Sequence, residues 1–182
     1  MESQERQLVL DQLATSEARL LELVHGLTPA QWNFRETPDR WSIAGNIEHV
    51  IVLENFLIQK ITEVLAQPAE PGKKAVAAGK ESLVLGVGKA RDVKFNAREL
   101  ARPIGRWPDM ADLIGELRRT RARTMAFAIE IQAELRDHFF PHVAFGDLDC
   151  YQWLVVLGQH GFRHALQIEE IKADPRYPSW SR

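Results

Sequence analysis

Four long segments of the chain repeat apolar residues at spacings of three and four, which is the spacing of one face of an α-helix. They cover approximately residues 3–26, 43–67, 109–137 and 150–173. No stretch of comparable length alternates apolar and polar residues as a half-buried strand does. The pattern therefore predicts an all-α protein in which four helices bury one face each against the others.

Capping and turn residues mark the ends of these segments. Gly26 ends the first, and Thr28 followed by Pro29 predicts the N-cap and first position of a short helical turn. Ser42 is the predicted N-cap of the second long helix. The stretch FFPHVAFGDLD, residues 139–149, is predicted to be a loop between the third and fourth helices.

The longest interruption of the helical pattern is the segment 68–108. The residues of its first part are mostly small and polar, and its second part has enough apolar residues to pack against the rest of the chain. A connection of this length inside a compact domain is either functional or a long crossover. We interpret it as a crossover with one short helical turn, so the sequence predicts a single domain over residues 1–182: a mainly antiparallel four-helix bundle with a long crossover between helices two and three.

Composition excludes several classes of function. The chain is 45% hydrophobic and 26% charged, which is typical of globular proteins. With 23 basic and 25 acidic residues its formal net charge is −2, so no overall field attracts nucleic acid or a membrane surface. The apolar runs are too short to span a bilayer, no signal peptide is evident, and the single cysteine, Cys150, fits a reducing compartment. We expect a cytoplasmic protein that binds neither nucleic acid nor membranes.

The basic stretch RRTRAR, residues 118–123, is the strongest argument for a nucleic-acid-binding alternative. Its arginines are spread around the predicted third helix instead of forming one stripe, and Glu116 and Glu130 lie nearby. We therefore interpret the stretch as a solvated helix face with one buried arginine.

Two histidines stand one helical turn apart on the fourth segment. At about 100° per residue, His160 and His164 fall near the centre of the apolar face that includes Trp153, Leu157 and Ile168. A buried imidazole needs polar partners, and the HxxxH spacing lets two rings of one helix bind one ion. A pair of core histidines and a metal site both agree with this pattern.

The second segment offers a third imidazole and a misplaced carboxylate. His49 lies at the edge of its apolar face, where it is either a boundary residue or a further metal ligand. Glu54 lies close to the centre of that face, where a carboxylate must be paired, protonated or next to a cation. It is either the buried partner of an arginine such as Arg121 or a proton acceptor near a metal.

These stretches together resemble the DinB-like (DinB/YfiT) family of metalloenzymes, and the likeness covers nearly the whole chain. The residues that carry it best are Trp41 and Ser42 followed by His49, and Phe145 and Gly146 leading into His160, His164 and Gln167. The resemblance implies a four-helix bundle in which one histidine of the second helix and two of the last bind a divalent metal, usually nickel or zinc. Carried onto this sequence, the ligands are His49, His160 and His164.

The resemblance also implies an activity and a partner. Members include thiol-dependent transferases and an isomerase in which the metal activates a low-molecular-weight thiol, and they often form homodimers. We therefore expect a metal-dependent enzyme with a small-molecule substrate, dimeric through its outer helical faces. The alternative is a non-enzymatic module of the stress response that binds a metal or a small molecule.

Further residues are expected around this site. Glu54 is the candidate proton acceptor, and the expected pocket-lining residues are Trp41, His142, Trp153 and Gln167. His142 lies in the 139–149 loop, which the resemblance places beside the site, and it is the next candidate ligand. Cys150 begins the fourth helix about 15 Å from the ligand histidines, so we expect it to be a packing residue and not a nucleophile.

Overall fold

The computed structural model describes residues 1–89 and 99–179. Four long helices pack against one another, and the all-α prediction is confirmed. Numbered in chain order, the helices are α1 (Ser3–Val24), α2 (Pro29–Asn33), α3 (Ile43–Leu65), α4 (Lys74–Ala78), α5 (Glu81–Gly86), α6 (Met110–Glu130) and α7 (Cys150–Ala173). The predicted helices correspond to α1, α3, α6 and α7. Within the described residues, no helix has both the length and the apolar character that crossing a membrane requires.

Neighbouring helices of the bundle run parallel in two cases, which corrects the mainly antiparallel arrangement. Early residues of α1 face early residues of α7, as where Gln12 lies against Gly158. Late residues face late ones, because Lys172 donates to the carbonyl of Leu23 at 2.8 Å. Helices α1 and α7 therefore point the same way.

Helices α3 and α6 form the second parallel pair. Ile47, near the start of α3, packs in one core cluster with Leu113, near the start of α6. Ile61 and Ala128, late in the same two helices, share the other cluster. The end of α3 and the start of α6 thus lie at opposite ends of a helix that is about 34 Å long. A long crossover is needed to join them.

The crossover contains more regular structure than predicted. Besides α4 and α5, its described part has 3₁₀ turns at Pro71–Lys73 and Glu99–Ala101, where we expected one short helical turn. Residues 90–98 of the predicted crossover lie outside the described residues. Ala77 of α4 and Val84 of α5 are buried, so this part of the crossover packs against the bundle.

The third long helix is shorter than predicted. Helix α6 ends at Glu130, not near residue 137, and the chain turns extended at Ile131. Arg6 of α1 explains this end, because its guanidinium donates to the carbonyls of Ala128, Ile129 and Ile131. A cation at the last carbonyls of a helix satisfies groups that have no partner within the helix.

The predicted loop at residues 139–149 is a β-hairpin, so the expectation of no strand was wrong there. Strand β1 (Phe139–His142) pairs antiparallel with β2 (Gly146–Asp149). Gly146 has a φ of 65°, a conformation that glycine adopts without strain and that suits the turn. The hairpin leads directly into α7, whose predicted bounds are confirmed and whose N-cap is Asp149.

Candidate metal centre

Helices α3 and α7 run antiparallel and bring the three candidate ligands together. The Nε2 atom of His160 lies 3.1 Å from Nε2 of His49 and 3.0 Å from Nε2 of His164. All three ligand atoms lie within 4.8 Å of one another. His49 and His164 are buried and His160 is partly exposed. The three residues that the sequence singled out therefore form one cluster.

Hydrogen bonds at the other ring nitrogens orient two of these imidazoles. Nδ1 of His49 donates to the carbonyl oxygen of Ala101 at 2.6 Å. Nδ1 of His164 donates to Oδ1 of Asn46 at 2.8 Å. Because a neutral imidazole has one proton, Nε2 of each ring is left with a lone pair directed at His160. This is how proteins orient histidines that bind metals.

The spacing of the nitrogens fits a divalent ion. Imidazole nitrogens bind zinc at about 2.0–2.1 Å, so two that share an ion lie about 2.8–3.4 Å apart at octahedral to tetrahedral angles. Both Nε2–Nε2 distances from His160, 3.1 Å to His49 and 3.0 Å to His164, lie within that range. A proton on His160 can be donated to only one neighbour at a time, whereas a cation attracts all three lone pairs. The cluster therefore fits a divalent metal site.

Burial keeps these rings in the form that binds metals. It lowers the pKa of His49 below its usual value of 6.5, although the hydrogen bond to Ala101 acts in the opposite direction. Burial also lowers the pKa of His160 well below that value, and His49, Arg163 and Arg121 lower it further. Neutral imidazoles need not lose a proton before they bind an ion.

Trp41 covers one side of the cluster. Its ring centroid lies 4.7 Å from that of His49, and the ring stacks on His164 at 6.2 Å with 16° between the planes. Gly45 makes room for it, since a Cβ atom there would lie 3.2 Å from Cβ of Trp41. The tryptophan therefore shields the ligand rings on this side.

A cavity of about 620 Å³ lies beside the histidines and reaches all three of them. This volume lies within the range of about 300–1,000 Å³ that is usual for sites of small organic ligands. The four expected pocket-lining residues all line it: Trp41, His142, Trp153 and Gln167. The three-histidine cluster is thus part of the wall of a ligand-sized cavity.

His142 lines the cavity but does not belong to the three-histidine cluster. Its ring stacks on Phe145 with centroids 4.6 Å apart and lies 5.2 Å from the ring of Trp153. Its Nδ1 atom accepts the backbone N–H of Ala144 at 3.1 Å. The hairpin therefore places His142 in the aromatic wall.

Glu54 lies in the bundle core with Arg121 as its partner. Its Oε2 atom is 3.1 Å from Nη2 of Arg121, and the two side chains are 2% and 0% exposed. Burial raises the pKa of Glu54, while Arg121 and Thr124 lower it. Glu54 is not among the described residues that line the cavity. Its contacts are therefore those expected of the buried partner of an arginine, and a role of Glu54 in catalysis remains a prediction.

Cys150 is buried at the start of α7. Burial and the neighbouring Asp149 raise the pKa of its thiol to about 12. A thiol with this pKa stays protonated near neutral pH and is a poor nucleophile. Its environment is that of a packing residue.

Two further residues of α3 support the site, and the sequence analysis missed both. Asn46 orients His164, and Glu48 holds the end of the crossover by accepting the backbone N–H groups of Ile104 and Gly105, each at 2.9 Å. Asn46 stands one turn before His49, so a polar residue on the buried face was a usable signal. The carbonyl of Ala101 is a backbone atom and has no signature in the sequence.

Comparisons with known proteins found a family profile and a relative that match most of the chain. A sequence profile of the DinB superfamily matches residues 12–168, a stretch that includes all three histidines. The uncharacterized protein YuaE of Bacillus subtilis (strain 168) is 26% identical over 147 residues, which is 81% of this chain and 86% of that protein. No solved structure matches the chain.

Proposed function

The chain belongs to the DinB superfamily, and on this basis we propose that it is a divalent-metal-dependent enzyme that acts with a low-molecular-weight thiol as a transferase or isomerase. The observation that carries the proposal is the convergence of three Nε2 atoms on the wall of a cavity of about 620 Å³. A purely structural metal site would need no such cavity.

His49, His160 and His164 are the residues that would hold the metal. Imidazole ligands suit zinc and nickel, and a three-histidine set leaves a position open, as in catalytic sites. A divalent ion there would supply Lewis acidity, which lowers the pKa of a thiol or water that it ligates and provides a nucleophile near neutral pH. Asn46 and the Ala101 carbonyl keep the ligand nitrogens unprotonated and aimed inward.

The free pKa values of the two candidate nucleophiles favour a thiol over water. Asp39 is the sole carboxylate among the described residues of the wall, and Glu54 is paired with Arg121 outside it. No carboxylate is thus placed as a general base beside the histidines in the described part of the chain. A free thiol has a pKa of about 8.5 and water one of about 15.7, so a thiol needs far less help to ionise.

The thiol would come from outside the chain. Cys150 is buried, and its pKa of about 12 keeps it protonated. The cavity is large enough for a small thiol together with a second substrate.

We also propose that the protein is cytoplasmic and that it forms a homodimer through outer helical faces. Light scattering would test the homodimer.

The test is turnover with a panel of thiols and electrophiles, using metal-loaded and chelated protein. We expect activity that chelation abolishes and that one equivalent of nickel or zinc restores. Full-rate turnover without metal would overturn the proposal. Bound metal without turnover for any pair would favour the non-enzymatic binding module instead.

A further inference from the structure

The cavity extends along α3 and α7 on both sides of the histidines. Because the two helices run antiparallel, Asn46 of α3 lies level with His164 of α7. Three turns further along α3 than Asn46 and three turns back along α7 from His164 lie Leu57 and Trp153, which also line the cavity. At about 1.5 Å per residue, this end lies about 10 Å from the level of His160. The three-histidine cluster therefore lies between two halves of one cavity.

The half toward Trp153, here called the apolar arm, has a hydrocarbon and aromatic lining. The residues that define it are Leu53, Leu57, Val87, Phe140, Trp153 and Val156. The rings of Phe140 and Trp153 stack with centroids 4.3 Å apart and 1° between their planes. The indole N–H of Trp153 donates to the carbonyl of Phe140 at 3.1 Å, so its polar group is already satisfied. The indole thus has no donor left for a ligand.

The positive charge of Lys60, at the far end of the apolar arm, is paired with the negative charge of Glu63. Lys60, one turn beyond Leu57, lines the cavity, and its Nζ atom lies 3.3 Å from the carboxylate of Glu63. The opposite half of the cavity differs, because Asp39, Arg40 and Gln167 line it. A ligand group in the apolar arm gains by burying apolar surface and by ring contacts. Among the described residues around the apolar arm, Lys60 is already paired with Glu63 and the ring of His142 lies against that of Trp153, so a charged ligand group there would lose more hydration than a neutral one.

We propose that the apolar arm binds the electrophilic substrate, a neutral molecule with an aromatic ring system whose reactive carbon points toward the histidines. This inference rests on the proposed thiol-dependent function and specifies its second substrate. For an aryl-methyl halide, the thiol sulfur forms the new S–C bond and the halide leaves with the electron pair of the C–halogen bond. The proton of the thiol goes to the solvent.

Binding is tested with N-phenyl-1-naphthylamine, a neutral dye that fluoresces more strongly in apolar surroundings. The variants are Leu53→Trp, which fills the apolar arm, and Leu53→Asn, which makes its wall polar. Leu53 is only partly buried, so both changes should be tolerated. The matched controls are Leu83→Trp and Leu83→Asn, at a leucine that is 54% exposed and lies outside the cavity wall. Circular dichroism and metal content verify folding.

We expect both Leu53 variants to bind the dye about tenfold more weakly and both Leu83 variants to bind it like the unmodified protein. The unmodified protein should also prefer 2-(bromomethyl)naphthalene to iodoacetamide in kcat/KM, and Leu53→Trp should reduce that preference. Equal dye binding by all folded variants would overturn the inference, as would an enzyme with no preference between the two electrophiles.

The His160→Ala variant separates this inference from the proposed function. It should lose the metal but keep the dye, because His160 is not part of the apolar arm. Metal-dependent turnover of iodoacetamide without dye binding would refute the apolar arm and leave the proposed function standing. Dye binding that depends on Leu53 in a protein without metal or turnover would refute the proposed function and retain the arm as a binding site.

Discussion

Nδ1 of His164 lies 2.8 Å from Oδ1 of Asn46, and Nδ2 of the same asparagine donates to the carbonyl of Ser42 at 2.9 Å. The second bond fixes which end of the amide faces the histidine. Ser42 is also the N-cap of α3. The backbone carbonyl of Ser42, at the start of α3, thereby helps to orient the candidate ligand His164 on α7.

Replacing Asn46 tests this relationship. Asn46→Leu keeps the size of the side chain but removes the acceptor for His164 Nδ1, so the ring is no longer held with Nε2 directed at the cluster. We expect metal affinity to fall about 10–100-fold, as for other residues that orient metal ligands. A competition titration with a chelating dye measures it. Asn33→Leu, at an exposed asparagine, is the control, and an unchanged affinity for Asn46→Leu would refute the role of this bond.

The sequence predicted the site better than it predicted the topology. Helical periodicity places His160 and His164 on the buried face of their helix and His49 at the edge of its own, and the resemblance to the DinB-like family indicated that all three are ligands. The end of α6 could not be recognised from the sequence, because it depends on Arg6, which is more than 120 residues away in the chain. Strands of four residues, as in the hairpin, are too short to show alternation. Periodicity also carries no information on helix direction, so the parallel pairs were missed.

Glu54→Gln should lower stability and spare the metal. The change leaves the guanidinium of Arg121 buried without its counter-charge, which typically costs about 3–5 kcal/mol. Denaturant unfolding measures this loss. Glu63→Gln removes a half-exposed ion pair with Lys60 and should cost less than about 1 kcal/mol. A Glu54→Gln variant with normal stability and a reduced rate would instead support the proton-acceptor hypothesis.

Acid should destabilise the metal-free protein through its buried histidines. The pKa values of His49 and His160 are lowered in the folded chain, so between those values and about 6.5 the unfolded chain binds more protons. The contribution of these two histidines to the free energy of unfolding is therefore largest above pH 6.5, and it falls as the pH drops below 6.5. Denaturant unfolding from pH 8 to pH 5 should show a shallower slope for His160→Ala. An identical slope in both proteins would contradict this origin.

Cys150 should react with thiol reagents only after unfolding. Its pKa of about 12 and its burial leave almost no accessible thiolate in the folded protein. We expect no labelling by an aromatic disulfide reagent under native conditions and complete labelling in denaturant. Cys150→Ala should retain thiol-dependent turnover. Rapid native labelling together with loss of turnover in the alanine variant would identify Cys150 as a nucleophile after all.

The most direct measurement is elemental analysis of the protein purified without a metal-affinity tag. The account predicts about one divalent ion per chain, nickel or zinc, because three imidazoles converge on one point. His49→Ala, His160→Ala and His164→Ala should each lower the metal content, while His25→Ala, at an exposed position outside the cluster, should not. A protein that binds no divalent ion even after incubation with nickel or zinc, or a His49→Ala variant with full stoichiometry and affinity, would contradict the three-histidine site.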